Sequence, residues 1–145
     1  MGWTPLHTAA RDGDAKRLKR CIEQIKWLDP VDINAQSSQG HTPLHMCAAN
    51  GHVEVMQYIL AQKDCDKNAQ TKLGNTALHL AALNSREPAC KMLVSHGADA
   101  KRKNQAGQTA ADLCPAENKT LRQFLVEQST AEKPEDMEED EEGEV

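Results

Sequence analysis

Three histidines, His7, His45 and His79, each lie three residues after a threonine, in the strings TPLH, TPLH and TALH. An imidazole beside a hydroxyl could serve as a general base, and His41 lies four residues before His45, the spacing of a zinc-binding HxxxH pair. The chemistry fails on placement. His41 stands before the threonine that starts the helix, so it shares no helical face with His45. Moreover, a catalytic dyad has no reason to recur once per stretch of chain. The recurring histidines read as structural groups that bond the preceding threonine and a neighbouring backbone. The five cysteines, Cys21, Cys47, Cys65, Cys90 and Cys114, are odd in number, with no CxxC pair and no histidine at ligand spacing. They read as reduced thiols, mostly on apolar helical faces, in a cytoplasmic and/or nuclear protein; Cys65, in a loop, is expected to be the most exposed.

The sequence contains no GxGxxG or GxxxxGK[ST] for phosphates, no GxSxG for acyl transfer and no carboxylate pair set to raise a pKa. No catalytic residue, cofactor or metal is therefore assigned, and the protein is not expected to be an enzyme. Two tryptophans, one tyrosine and one phenylalanine offer little for base stacking, and a net charge of −5 argues against direct nucleic-acid binding. No apolar run of membrane-spanning length occurs, so no membrane partner is expected.

The element that holds these residues is clearest in GHTPLHMCAANGH, residues 40–52. Thr42 can cap a helix whose first residue is Pro43, Leu44, Cys47 and Ala48 form a small apolar face, and Asn50-Gly51 ends it. So short a helix is unstable alone in water and needs a neighbour of the same kind. The chain supplies them: GWTPLHTAARDGD from Gly2, GNTALHLAALNSR from Gly74 and, more weakly, GQTAADLCPAENK from Gly107. Thr4, Thr42, Thr76 and Thr109 are 38, 34 and 33 residues apart. A second apolar-periodic segment follows in each copy: Ala15 to Ile25, Val53 to Ala61, Pro88 to Ser95 and Thr120 to Glu127. The third of these is expected to begin at or near Ser85. Extended stretches such as DINA, DKNA and GADAK then close the unit. Each helix pair is apolar on two sides, so stacking is the way to bury all copies.

A period of 33 residues carrying TPLHxAA resembles the ankyrin repeat over nearly all of residues 2–127. The resemblance implies an all-α solenoid of stacked helix-turn-helix units with projecting β-hairpin loops, in repeats near 2–35, 36–69, 70–103 and 104–128. Repeat one carries an insertion with Trp27, and repeat four has Asp112 in place of the histidine and a polar outer side suited to a terminal cap. The domain spans residues 1–128. Residues 129–145 hold nine acids and one lysine, a net of −8 that leaves +3 on the remainder, and are expected to be a disordered acidic tail.

By resemblance, partners meet the hairpin tips and the outer side of the first helices. Mapped by register, that concave strip includes Trp3, Arg11, Asp12, Gln39, His41, Ala49, Asn50, Lys72, Leu73, Asn75, Leu83, Asn84, Gln105 and Gln108. Trp3, Leu73 and Leu83 stand out as large apolar side chains at positions facing water. The implied function is an adaptor or regulatory scaffold that binds a partner protein, with the domain itself monomeric. A second reading is an escort for a basic client contacted by the tail. HMCAANGH, GNTALH and the tail are loosely similar to yeast ankyrin-repeat chaperones of ribosomal proteins.

Overall fold

In the computed structural model of the protein, each threonine of the repeated string starts a helix by the same double bond. Thr42 Oγ1 accepts the N–H of His45 at 3.4 Å, while His45 Nδ1 accepts the N–H of Thr42 at 3.0 Å. These reciprocal caps satisfy two donors that a helix start leaves without partners. They recur at Thr4, Thr76 and Thr109, the last with Asp112 in the histidine's place. The structure describes residues 4–25 and 32–130, without the side chains of residues 24 and 25.

Among the described residues eight helices follow in order: α1 Pro5–Asp12, α2 Ala15–Ile25, α3 Pro43–Asn50, α4 Val53–Leu60, α5 Ala77–Leu83, α6 Glu87–Ser95, α7 Ala110–Leu113 and α8 Lys119–Thr130. The first helices α1, α3, α5 and α7 pack in one row, and α2, α4 and α6 pack in a second row behind them. Lys91 of α6 lies 5.8 Å from the centre of the Phe124 ring, which joins α8 to that second row. This is an all-α solenoid of helix pairs, as the repeat predicts.

The core between the rows is thin and made of small side chains. Ala9, Ala10, Cys47, Ala48, Ala81, Ala82, Ala110 and Ala111 are buried where the first helices meet. Behind them, Leu18, Val55, Met56, Ile59, Leu93, Leu121 and Leu125 are fully buried. Burial of each large aliphatic contributes roughly 1.5–3 kcal/mol, so most of the hydrophobic stabilisation lies in the second helices and the repeated leucines Leu6, Leu44 and Leu78.

The segments between repeats are tight hairpin turns, and no strand occurs among the described residues. In the second turn, Thr71 N–H donates to the Asn75 carbonyl at 2.9 Å and Gly74 N–H to the Thr71 carbonyl at 2.8 Å. Two such bonds close a turn but leave no length for a ladder. The turns instead stack on one another: Lys72 N–H donates to the Gln39 carbonyl, and Gln105 N–H to the Leu73 carbonyl, each at 3.0 Å.

Several departures from expectation have local causes. Helix α6, expected to begin at or near Ser85, starts at Glu87, because Ser85 adopts a left-handed φ of 56° and lies outside the helix. Pro88 then falls in the first turn, where its missing N–H costs nothing. Helix α7 stops after four residues: Cys114 precedes Pro115 and is held extended, at φ −64° and ψ 131°. Helix α8 runs to Thr130, past the expected boundary at 128, and Asn118 Oδ1 caps it by accepting the Leu121 N–H at 3.2 Å. Trp3, Trp27 and residues 131–145 of the acidic tail lie outside the described residues.

Cys65 corrects an expectation outright. It is buried, whereas Cys21 is the thiol with partial exposure. Asn34 clasps the loop that carries Cys65: its Nδ2 donates to the Asp64 carbonyl at 2.6 Å and its Oδ1 accepts the Asp66 N–H at 2.8 Å. Held on both sides, the loop folds Cys65 inward.

Candidate interaction surface

The strip is best understood from the ladders that run beneath it. Each histidine that caps its own helix also reaches the following repeat. His7 Nε2 donates to the His41 carbonyl at 2.7 Å, His45 Nε2 to the Asn75 carbonyl at 3.0 Å and His79 Nε2 to the Gln108 carbonyl at 2.9 Å. A carbonyl only accepts, so Nε2 carries the proton and Nδ1 is free to accept from threonine. In this tautomer every ring nitrogen is satisfied. Burial pushes the His45 pKa down to about 4, against the opposing pull of its bond to Asn75, and burial likewise lowers that of His79. These fully bonded imidazoles are framework.

The thiols are equally poor candidates for chemistry. Burial pushes Cys65 up to about 11 and Cys90 up to about 12, and raises Cys47 and Cys114 as well, so each stays protonated at neutral pH. His41 and His45 meet edge to face with ring centres 5.9 Å apart, and no cluster of three or more metal-binding side chains occurs among the described residues. No helix among those residues is long and apolar enough to cross a membrane.

Two further ladders use amides. Asn34 Oδ1 takes the Asp66 N–H, and Asn68 Oδ1 takes the Asp99 N–H at 2.8 Å. Gln36 Nε2 donates to the Gly40 and Gln70 carbonyls, and Gln70 Nε2 to the Gly74 and Lys103 carbonyls. One repeat on, the register places Lys101 and Lys103 where these amides stood. The basic hairpin tip is thus where the amide ladders stop among the described residues.

These bonds divide the strip's residues. Asn50 Nδ2 bonds the Arg11 carbonyl at 3.4 Å and Asn84 Nδ2 the Ala49 carbonyl at 3.0 Å, tying one first helix to the previous one. Asn75 Oδ1 accepts from Asn104 Nδ2 at 2.9 Å, and Gln108 Oε1 from the same nitrogen at 3.3 Å. His41 and Ala49 are half-buried and lend their carbonyls to His7 and to Asn84 and Arg86. Arg11 pairs with Asp12 at 3.0 Å on the open surface. Gln39, Lys72 and Gln105 join the ladder through backbone groups alone and keep exposed side chains.

Leu73 and Leu83 are different again, being 68% and 47% exposed. Leu73 sits at the tip of a hairpin turn whose backbone is bonded to the turns before and after it. Leu83 is the last residue of α5. The Arg11 and Ala49 carbonyls, at the ends of α1 and α3, receive His52 Nε2 and Arg86 Nε from the next repeat. The fourth repeat carries Lys119 at that register position and has a first helix of four residues, which leaves Leu83 poorly covered.

A stretch that motif reading passed over is the helix α2, where Lys16, Arg17, Lys19 and Arg20 are all exposed. The string KRLKR displays them openly in the sequence.

Stacked helix pairs joined by hairpin turns, with a bonded framework and an exposed outer strip, define a repeat solenoid of the protein-binding class. The chain belongs to the ankyrin-repeat family: a family model described as ankyrin repeats in three copies matches residues 1–71 and 60–135. Among relatives, human ankyrin repeat domain-containing protein 7 is 40% identical over 58 residues, covering 40% of this chain and 21% of that protein. Mouse protein phosphatase 1 regulatory subunit 12A is 36% identical over 107 residues, 72% of this chain and 10% of that protein. Human SMC5-SMC6 complex localization factor protein 1 is 42% identical over 60 residues, 41% of this chain and 5% of that protein. The chain thus matches only a minor part of the length of these relatives. Ankyrin repeats are in general protein–protein interaction modules, which fits a protein partner and points to a non-catalytic role.

Proposed function

We propose that this domain is an adaptor or regulatory module that grips a partner protein through its hairpin tips and the outer side of its first helices. The carrying observation is Leu73, a large apolar side chain 68% exposed on a turn whose backbone is fixed on both sides. An apolar side chain on a rigid base loses little entropy on binding and gains full desolvation, which are the properties of an anchor. Leu83 supplies a second anchor in the same repeat, with Gln39, Lys72 and Gln105 as the polar rim. That one relative is a phosphatase regulatory subunit agrees with a regulatory role. Five free thiols suit a cytoplasmic or nuclear setting.

The test is affinity capture from native extract, identification of the partner, and titration of the purified pair with Leu73→Asp and Leu83→Asp variants. Each substitution is expected to weaken binding on the order of tenfold or more while leaving the thermal midpoint unchanged. Affinity equal to that of the unaltered protein would overturn the assignment.

A second reading rests on the tail, which carries a net −8. An escort for a basic client, a ribosomal protein for example, would use that charge to screen client lysines and arginines. Neutralising the tail should then weaken client binding at low salt, with the difference shrinking as ionic strength rises.

A further inference from the structure

Helix α2 puts Lys16, Arg17, Lys19 and Arg20 on its exposed side, while Ala15, Leu18 and Ile22 are buried against the rest of the stack. None of the four cations forms an ion pair with a described residue; the ion pairs there are Arg11–Asp12, Lys91–Glu87 and Arg102–Asp99. Lys19 is held 5.5 Å from the centre of the Tyr58 ring on α4, which fixes its ammonium on this face without neutralising it. Two exposed acids flank the four cations: Glu23, one turn further on, and Asp14, which caps the helix by accepting the Arg17 N–H at 3.0 Å. The result is a compact site of positive potential on the second row of helices, away from the hairpin turns.

Its extent decides what it fits. The next helices of that row carry Glu54 on α4, and Glu87 paired with Lys91 on α6. The positive face is therefore one helix long, too short to follow a nucleic-acid backbone, which calls for a track of cations. Its exposed positions hold no apolar side chain to enter a lipid surface. A short acidic peptide fits both its length and its sign. The chain carries one: residues 131–145 contain nine acids and one lysine, and run on from α8.

We propose that the acidic segment 138–142, EEDEE, docks on the Lys16–Arg20 face of α2 within the same molecule. Reach permits it. Helix α8 stands three helix positions from α2 in the second row, roughly 24–30 Å at ordinary helix spacings. Eight to twelve extended residues beyond Thr130 span up to about 27–42 Å, which brings Glu138 to Glu142 to that helix. The contact is electrostatic and ties the two ends of the solenoid together. It also occupies the tail charge that a basic client would compete for, so binding of such a client would begin with release from α2. The contact stands whether or not the strip binds through Leu73.

The test uses the full chain and a second full chain neutralised by E138Q, E139Q, D140N, E141Q and E142Q, compared by amide nuclear magnetic resonance. Near 0.01 M salt, where charges interact over about 30 Å, the Lys16–Arg20 amides of the two proteins should differ while those of α4 and α6 coincide. Near 1 M salt, where that range falls to about 3 Å, the spectra should merge. Identical α2 shifts at low salt would overturn the proposal. Differences that grow with protein concentration would overturn the intramolecular form by showing docking between copies. A short DNA oligonucleotide that shifts the α2 amides equally in both proteins would show an open phosphate site and would overturn it as well.

Discussion

His45 Nε2 donates to the carbonyl oxygen of Asn75 at 3.0 Å, so the imidazole that caps α3 also holds the turn that leads into α5. Removing the side chain leaves the buried Thr42 N–H without its acceptor, takes from the Asn75 carbonyl one of its two donors and opens a cavity. His45→Ala is expected to cost about 3 kcal/mol, read from the urea midpoint. A cost below about 1 kcal/mol would mean that the histidine does not couple the repeats.

The same bond predicts an acid response. His45 is neutral in the fold with its pKa lowered to about 4, whereas in the unfolded chain it titrates near 6.5. A lowered folded value means that protonation favours the unfolded state. The stability is thus fully present above pH ~6.5, falls as pH drops toward ~4, and levels off below that. The loss amounts to about 3 kcal/mol from His45 over that window, with a further loss from His79 in the same direction. Thermal midpoints measured between neutral pH and about pH 4 should fall, and His45→Asn should flatten the slope. A slope unaltered by that substitution would assign the acid response elsewhere.

The histidine framework was legible in the sequence because it repeats: a residue type that recurs in step with a capping threonine has to serve the repeat. The strip was legible only as a set of positions. Gln36 and Gln70 look like solvent-facing amides in a sequence, yet each spans to the next hairpin carbonyl. Asn50, Asn75, Asn84 and Gln108 likewise divide between framework and surface by geometry that no spacing reports. Cys65 was misread for the same reason, since the clasp that buries it comes from Asn34 in the preceding repeat. Long-range bonds between amides and backbone leave no local signature.

The stacking of hairpin turns can be isolated with two glycines of similar conformation. Gly74 and Gly107 have φ of 83° and 77°. A Cβ on Gly74 would stand 2.7 Å from the Gln105 nitrogen and 3.0 Å from the Asn104 Cα, whereas at Gly107 nothing lies within 4 Å. Both alanine variants carry the left-handed penalty of roughly 1–2 kcal/mol. Gly74→Ala should lose at least about 1 kcal/mol more, because two backbones must separate. Equal losses in denaturant would show that the turns do not bear on one another.

Ser85 adopts φ 56° at the position where the two preceding repeats have Gly13 and Gly51. Those glycines are covered by the next repeat: a Cβ at Gly13 would strike the His52 ring at 2.5 Å, and one at Gly51 the Arg86 Cδ at 2.9 Å. Ser85 is exposed, which gives its side chain room but leaves the backbone cost in place. That cost is of order 1 kcal/mol, and glycine would remove it at the expense of greater freedom in the unfolded chain. Ser85→Gly should therefore stabilise the domain by about 0.5 kcal/mol, seen as a small rise in the urea midpoint. A lower midpoint would show that the serine hydroxyl contributes more at this corner than the strained backbone costs.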